Sequence, residues 1–326
     1  MAVTETPTLV VLRALGLGDF LTAIPAYRGL AAAFPDHRRL LAAPVSLAPL
    51  LPFVGAFHGL VATHPLGAVP HAVGEPDVAV NLHGRGPESH RTLLACKPRR
   101  LLAFAHADVP ESCDGPEWRR DEHEITRWCR MLEAYGVDCD PGDLALAGVL
   151  PPHRLHPGYT LIHPGAASCA RRWPAERWAA VARAELDAGR RIVVTGGPSE
   201  RELAERVARG ASLGPGCVYA GDLDLAMLAR LVGGAGLVLC TDTGVAHLAT
   251  ALERPSVLLF GPTSPALWGP PADRPWHRVL WSGRCGDPHA DSVDPGLLEI
   301  CVDDVVREIA SLGAAPMASY APAAPL

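Results

Sequence analysis

Short apolar runs recur along this chain, and most are closed by a glycine or polar turn before residues with helical spacing take over. In the first half the strand-like runs are Thr8–Leu12, Arg39–Ala43, Gly59–Thr63, Asp77–Leu82 and Arg100–Ala105. In the second half they are Tyr159–His163, Arg191–Thr195, Cys217–Ala220, Gly236–Cys240 and Ser256–Phe260, with His277–Trp281 as a last strand. Near-continuous apolar runs of this length suit strands buried on both faces of a parallel sheet. The intervening helices are predicted at Phe20–Phe34, Glu122–Tyr135, from Pro174 through Leu186, and at Glu200–Ala208, Leu225–Val232, Val245–Leu252 and Val302–Leu312. Repeated βα units predict an α/β fold with parallel sheets.

A break in this rhythm sets the domain boundary. Leu150–Gly158 is proline-rich, so a first domain is expected over residues 1–150 and a second over 151–312. Residues 313–326 are Ala/Pro-rich and are expected to be disordered. The chain of 326 residues is long enough for two domains and, at 48% hydrophobic, can bury a sizeable core. A net charge of −6 argues against a nucleic-acid partner. The nine cysteines show no C-x-x-C pair and read as reduced residues of a cytoplasmic protein. Neither a signal peptide nor a transmembrane segment is predicted. Between Arg39 and Glu75 only histidines break an uncharged stretch, and Pro44, Pro49 and Pro52 exclude a spanning helix there. Buried strand with helix and loop is the expectation for that stretch, with a peripheral membrane-docking face as the alternative. Lys97 is the only lysine amid abundant Arg, Ala, Gly and Pro, a bias that points to a GC-rich genome.

Chemistry concentrates at the strand-to-helix turns. Asp19 follows Gly16-x-Gly18 and has two readings, a helix N-cap or a carboxylate presented at a strand tip. Leu21 stands where a dinucleotide fingerprint would have its third glycine, so no nicotinamide cofactor is expected. Asn81–Arg85 ends a strand in polar residues, and His83 and Arg85 read as a solvated loop rather than acceptor contacts. Asp242-Thr243-Gly244 turns the chain into a helix whose free N–H groups could hold an anion, the alternative being a turn capped by Thr243. Asp222-x-Asp224 has the form of a metal-binding D-x-D, but Asp224 is placed as a helix N-cap, and no metal site is expected.

Asp242-Thr243-Gly244-x-x-His247-Leu248-Ala249, then Phe260–Thr263 and Trp268-Gly269-Pro270, closely resembles the signature of glycosyltransferase family 9, the heptosyltransferases. Val10–Pro25, His163–Trp178 and Val193–Glu202 are similar to the same family in the same order. The resemblance spans most of the chain and is least specific between Leu40 and Glu117. It implies the GT-B architecture, with two Rossmann-like βα domains facing each other across a cleft. The first domain would bring the acceptor, and the second would bind a nucleotide-diphospho-sugar. It implies an inverting, metal-independent transfer with Asp19 as catalytic base and no cofactor. Arg171 stands where the family usually has lysine, beside the donor phosphates. Substrate-binding roles are implied for Gly16, Gly18, Thr195, Gly196, Asp242, Thr243, Gly244 and His247. The implied donor is ADP-L-glycero-β-D-manno-heptose. The acceptor is a glycan, a glycolipid such as the lipopolysaccharide inner core, or a soluble natural product. Two other functions remain open: a GT-B nucleotide-sugar epimerase, and a non-catalytic nucleotide-sugar-binding protein, against which Asp19 counts.

Overall fold

A computed structural model of the chain describes residues 6–314 apart from residues 66, 68, 70–72, 150–154 and 222. The start of the proline-rich stretch, Asp222 and residues 315–326 of the expected tail therefore lie outside the described residues. The chain divides into two compact units, Met1–Leu144 and Ala145–Leu326.

The first unit runs β1 (Thr8–Leu12), α1 (Leu17–Thr22), α2 (Ile24–Ala33), β2 (Arg38–Ala43), α3 (Leu51–Val54), β3 (Gly59–Ala62), β4 (Val78–Asn81), α4 (Glu88–Leu94), β5 (Arg100–Leu102) and α5 (Glu124–Glu133). Its sheet has the order β3-β2-β1-β4-β5, and every pairing is parallel. The chain thus leaves β1 toward one edge and returns to its other side. The change of direction falls between β1 and β4, where Leu12 is paired with Asn81. In open α/β sheets ligands bind at the carboxyl ends of the strands beside such a switch point.

The second unit repeats the plan: β6 (Tyr159–His163), α6 (Ala175–Asp187), β7 (Ile192–Gly196), α7 (Arg201–Gly210), β8 (Val218–Ala220), α8 (Leu225–Gly234), β9 (Ala235–Thr241), α9 (Gly244–Ala251), β10 (Ser256–Phe260), α10 (Pro265–Trp268), β11 (His277–Trp281), α11 (Pro295–Glu299) and α12 (Val302–Ala314). Its order is β11-β10-β9-β6-β7-β8, again all parallel. Here the switch point lies between β6 and β9. Both units therefore carry the parallel winding expected from the βα rhythm, in the Rossmann-like form that the resemblance implies.

Some elements differ from the sequence expectation. The helix expected at Phe20–Phe34 is two helices, broken at Ala23, because Pro25 sits in the first turn of α2 and has no N–H to continue the ladder. Helices α3, α4, α10 and α11 are too short to show a helical period in sequence. The uncharged stretch holds β2, a 3₁₀ turn over Val45–Leu50, α3 and β3, with Leu47, Leu50 and Val54 buried and Val45 exposed. Among the described residues no helix is long and apolar enough to cross a membrane.

Each sheet is covered by apolar side chains. In the second unit Trp173 and Trp178 meet edge to face, 4.9 Å between ring centroids, beneath α6. Aromatic pairs of this geometry add to the apolar area they bury. A polar pair lies in the β10–β11 ladder, where Ser256 opposes His277 and its hydroxyl is 2.8 Å from His277 Nδ1. His277 Nε2 is buried with no partner among the described residues. Burial, and secondarily Arg274, push the His277 pKa down to about 4.

This makes stability depend on acid in a defined window. The unfolded chain takes up a proton near the ordinary value of 6.5, whereas the folded chain resists until about 4. Stability is therefore complete above pH 6.5 and is lost as pH falls toward 4, by about 3 kcal/mol from this residue. Thermal melting of the wild type between pH 7 and pH 4.5 should show a steeper loss than the His277→Asn variant. Equal slopes would show that His277 is not held neutral.

Candidate active site

In the first unit the switch point is built around Asp19. The N-cap position of α1 belongs to Gly16, and Asp19 lies in the first turn, so the capping role considered for it is not the one it takes. Its carboxylate reaches back to the backbone N–H of Gly16 and to its own. Glycine at 16 is not required by a left-handed backbone, since φ there is −76°. A Cβ at 16 would stand 3.7 Å from Asp19 Oδ2, an ordinary contact. Gly18, half-buried in the first turn of α1, also lacks a left-handed φ.

Behind Asp19 lies Arg13, which is completely buried. Its Nε donates to the Asp19 carbonyl at 2.6 Å and its Nη2 lies 3.6 Å from Asp19 Oδ1. Nη1 donates to the Leu82 carbonyl, and Nη2 donates to Glu124 Oε1 at 3.0 Å and Thr22 Oγ1 at 3.3 Å. The guanidinium also sits over the Trp128 ring, 4.9 Å from its centroid. The break between α1 and α2 frees the Asp19 carbonyl for this contact, and Thr22 Oγ1 donates to the same oxygen at 3.0 Å.

Burial raises the Asp19 carboxyl group above its ordinary range, with Arg13 pulling it down and Glu124 pushing it up. A helix N-terminus would favour the ionised form. Here desolvation outweighs it. His83 forms another wall. Its Nδ1 accepts from the Ala14 N–H at 3.2 Å, and its backbone N–H donates to Asn81 Oδ1 at 2.9 Å. It is therefore tied to the end of β1 rather than lying in a solvated loop, and burial, with Arg13, lowers its pKa while Asp19 raises it. Arg85, two residues on, is exposed.

In the second unit two groups of residues line the carboxyl ends beside the switch point. His163 ends β6, with Nδ1 3.0 Å from Thr195 Oγ1 and Nε2 3.7 Å from Glu200 Oε2. Burial lowers the His163 pKa, opposed by Glu200. Glu200 Oε2 accepts from the Gly197 N–H at 2.8 Å. A side chain at Gly165 would overlap the Glu200 carboxyl group, and at Gly196 it would stand 3.2 Å from Glu200 Cβ. These glycines thus leave room for Glu200.

The second group gathers at β9 and α9. Asp242 is buried, its N–H donating to the Leu259 carbonyl at 3.0 Å. Arg171 Nη1 donates to the Asp242 carbonyl at 3.2 Å and lies 3.7 Å from Asp242 Oδ2. Trp173, buried and donating to the Ile300 carbonyl at 3.1 Å, anchors the loop that carries Arg171. Thr243 does occupy the N-cap of α9, but its side chain makes no capping hydrogen bond. Gly244 opens the helix, and His247, one turn in, stacks edge-on to Trp268 at 5.9 Å. Asp224 caps α8 by accepting from the Met227 N–H at 2.7 Å, as expected of it, while Asp222 lies outside the described residues.

The structure thus joins Gly16 and Asp19 in one site, Thr195 and Gly196 in a second group, and Arg171, Asp242, Thr243 and Gly244 in a third. Sequence reasoning assigned no role to Arg13, Glu124, Arg127 or Glu200. A single arginine directly after the apolar run Thr8–Leu12, and Glu124-x-x-Arg127 on one helix face, were the available signals.

Two Rossmann-like units, each with polar residues converging at its switch point, are the domain make-up of the GT-B fold. Residues 101–286, more than half of the chain, match the family described as Glycosyltransferase family 9 (heptosyltransferase). The chain belongs to that family. Lipopolysaccharide heptosyltransferase 1 of Escherichia coli K12 is 37% identical over 100 residues, which is 30% of this chain and 30% of that protein. The chain therefore aligns with less than a third of the length of that curated relative. The glycosyltransferase family 9 structure from Veillonella parvula shares its fold at TM-score 0.76 and 21% identity, covering 94% of this chain and 97% of the other. So does the E. coli heptosyltransferase WaaC with ADP, at TM-score 0.70 and 20% identity, covering 94% and 99%.

Gly165 supplies a structural test of the β6–β7 group. In Gly165→Ala the new methyl group displaces Glu200, which loses its bond to the Gly197 N–H. Urea unfolding should show a loss of about 1–2 kcal/mol. An unchanged midpoint would mean that Glu200 does not anchor this loop.

Proposed function

We propose that this protein is an inverting heptosyltransferase that moves a heptose from ADP-heptose to an acceptor hydroxyl. In this reading the acceptor oxygen bonds to the anomeric carbon as the bond from that carbon to the diphosphate breaks. Asp19 takes the hydroxyl proton, and ADP leaves with the bonding pair. The observation that carries the reading is the Asp19 carboxyl group, backed by buried Arg13 yet 28% exposed. Burial makes it a stronger base than a solvated aspartate, and positioned proton transfer is worth about 10²–10⁴-fold in rate.

The second unit is proposed as the donor side. The N-terminus of α9 at Thr243–Gly244 offers backbone N–H groups to a pyrophosphate. Arg171 beside it supplies a cation, and as arginine it can grip a phosphate with two parallel bonds. Thr195, Gly196 and His247 are proposed to line the remainder. These groups would stabilise the charge that develops on the leaving diphosphate, so the reaction is proposed to need no resident metal. The WaaC neighbour holds ADP, which supports adenine as the base. The acceptor is proposed as a lipopolysaccharide-type glycan, a soluble acceptor being the alternative suggested by composition.

Calorimetry with ADP, GDP and UDP tests the donor side. ADP should bind tightest, EDTA should leave its affinity unchanged, and Arg171→Ala should weaken it by about tenfold or more, as expected for a lost charged hydrogen bond. Tighter binding of GDP or UDP would overturn the donor assignment. Wild-type affinity in Arg171→Ala would remove Arg171 from the phosphate site.

A further inference from the structure

Asp19 is the open end of a buried chain of charges. Glu124 uses both carboxylate oxygens: Oε1 accepts from Arg13 Nη2 at 3.0 Å and from Trp128 Nε1 at 2.7 Å, and Oε2 accepts from Arg127 Nη1. Arg127 Nη2 in turn donates to the carbonyls of Arg119, Arg120 and Glu122 at 3.3, 3.1 and 2.8 Å. Its guanidinium lies 4.4 Å from the centroid of the Trp118 ring. Side-chain exposure falls from 28% at Asp19 to 0% at Arg13, 6% at Glu124 and 8% at Arg127.

Such an arrangement is hard to explain as a stability device. Desolvating ions costs several kcal/mol each, and apolar residues of the same volume often serve stability as well or better. Two cations and two carboxylates sum to zero only when Asp19 is ionised. A proton on Asp19 leaves the buried cluster with a net positive charge, which favours the proton's departure. The other titratable groups facing Asp19 carry no charge that would do this. His83, from the end of β4, is held neutral by burial. Tyr27, from α2, keeps its proton because burial raises its pKa, and its hydroxyl has no partner among the described residues.

We propose that Arg13 and Glu124 are positioning residues: Arg13 holds the Asp19 carboxyl group in place and draws it back to the ionised form after each proton transfer, while Glu124 holds Arg13 and tempers that pull. The proposal rests on the reading of Asp19 as the base. Arg13 holds Asp19 by backbone and side chain at once, while Glu124 and Arg127 keep Arg13 from turning away. Glu124 also divides the attraction of Arg13, which leaves Asp19 a better proton acceptor than it would be beside an unshared guanidinium.

The two residues act on Asp19 with opposite sign, which a structural role alone would not produce. Carboxyl-¹³C NMR titration of the full chain reads this directly, with the Asp19 signal assigned by its absence in Asp19→Asn. Arg13→Gln should raise the Asp19 midpoint by about 1–3 pH units, the size of effect an opposite charge within 4–6 Å exerts. Glu124→Gln, close to isosteric, should lower it. If Arg13→Gln fails to fold, Glu124→Gln decides alone. An Asp19 midpoint in Glu124→Gln that is unchanged or raised, in a cooperatively melting protein, overturns the proposal. The titration needs neither donor nor acceptor, so its failure is separate from any failure of the transferase reading.

Discussion

Parallel strands can be joined only by crossovers, and a sheet wound outward in both directions must reverse at one place. That constraint organises this molecule. In the first unit the reversal falls between β1 and β4, and the residues that leave those strands are Arg13 to Asp19 and Asn81 to Arg85. In the second it falls between β6 and β9, and the departing residues are His163 to Arg171 and Asp242 to Gly244. With no crossover covering the strand ends there, polar groups can converge without being buried under a helix. The candidate chemistry sits at the switch points because the winding leaves them open.

The electrostatics of Asp19 follow from what the fold places behind it. An aspartate in a first helical turn would ordinarily be a weak base, since the backbone N–H groups favour its ionised form. Burial in this site works the other way and prevails. Arg13 limits the rise, and Glu124 limits Arg13. The net effect is a carboxyl group that holds a proton more readily than a solvated aspartate does. The break between α1 and α2 contributes by leaving the Asp19 carbonyl to Arg13 and Thr22.

Much of this architecture was legible in the sequence, because buried parallel strands write themselves as short apolar runs. β6, β10 and β11 fall where the pattern puts them, and the turn motifs at Gly16–Asp19 and Asp242–Gly244 announced polar strand ends. The motif resemblance identified the family correctly. Illegible were the partners that arrive from far along the chain. Glu124 lies 111 residues from Arg13, and no local period links them. His83 read as a solvated loop residue because its acceptor bond to Ala14 depends on β4 lying beside β1. The split between α1 and α2 needed attention to Pro25, whose effect the apolar period conceals.

In the proposed reaction Asp19 takes a proton from the acceptor hydroxyl. The most direct measurement is the single-turnover release of ADP from ADP-heptose in the presence of a lipopolysaccharide-core acceptor, comparing wild type with Asp19→Asn. Asparagine preserves size and can still accept a hydrogen bond from the Gly16 N–H, but it cannot take the hydroxyl proton. Normal melting, unchanged donor affinity and a rate lower by about 100-fold or more are expected. A wild-type rate in a normally folded Asp19→Asn protein would contradict this role of Asp19.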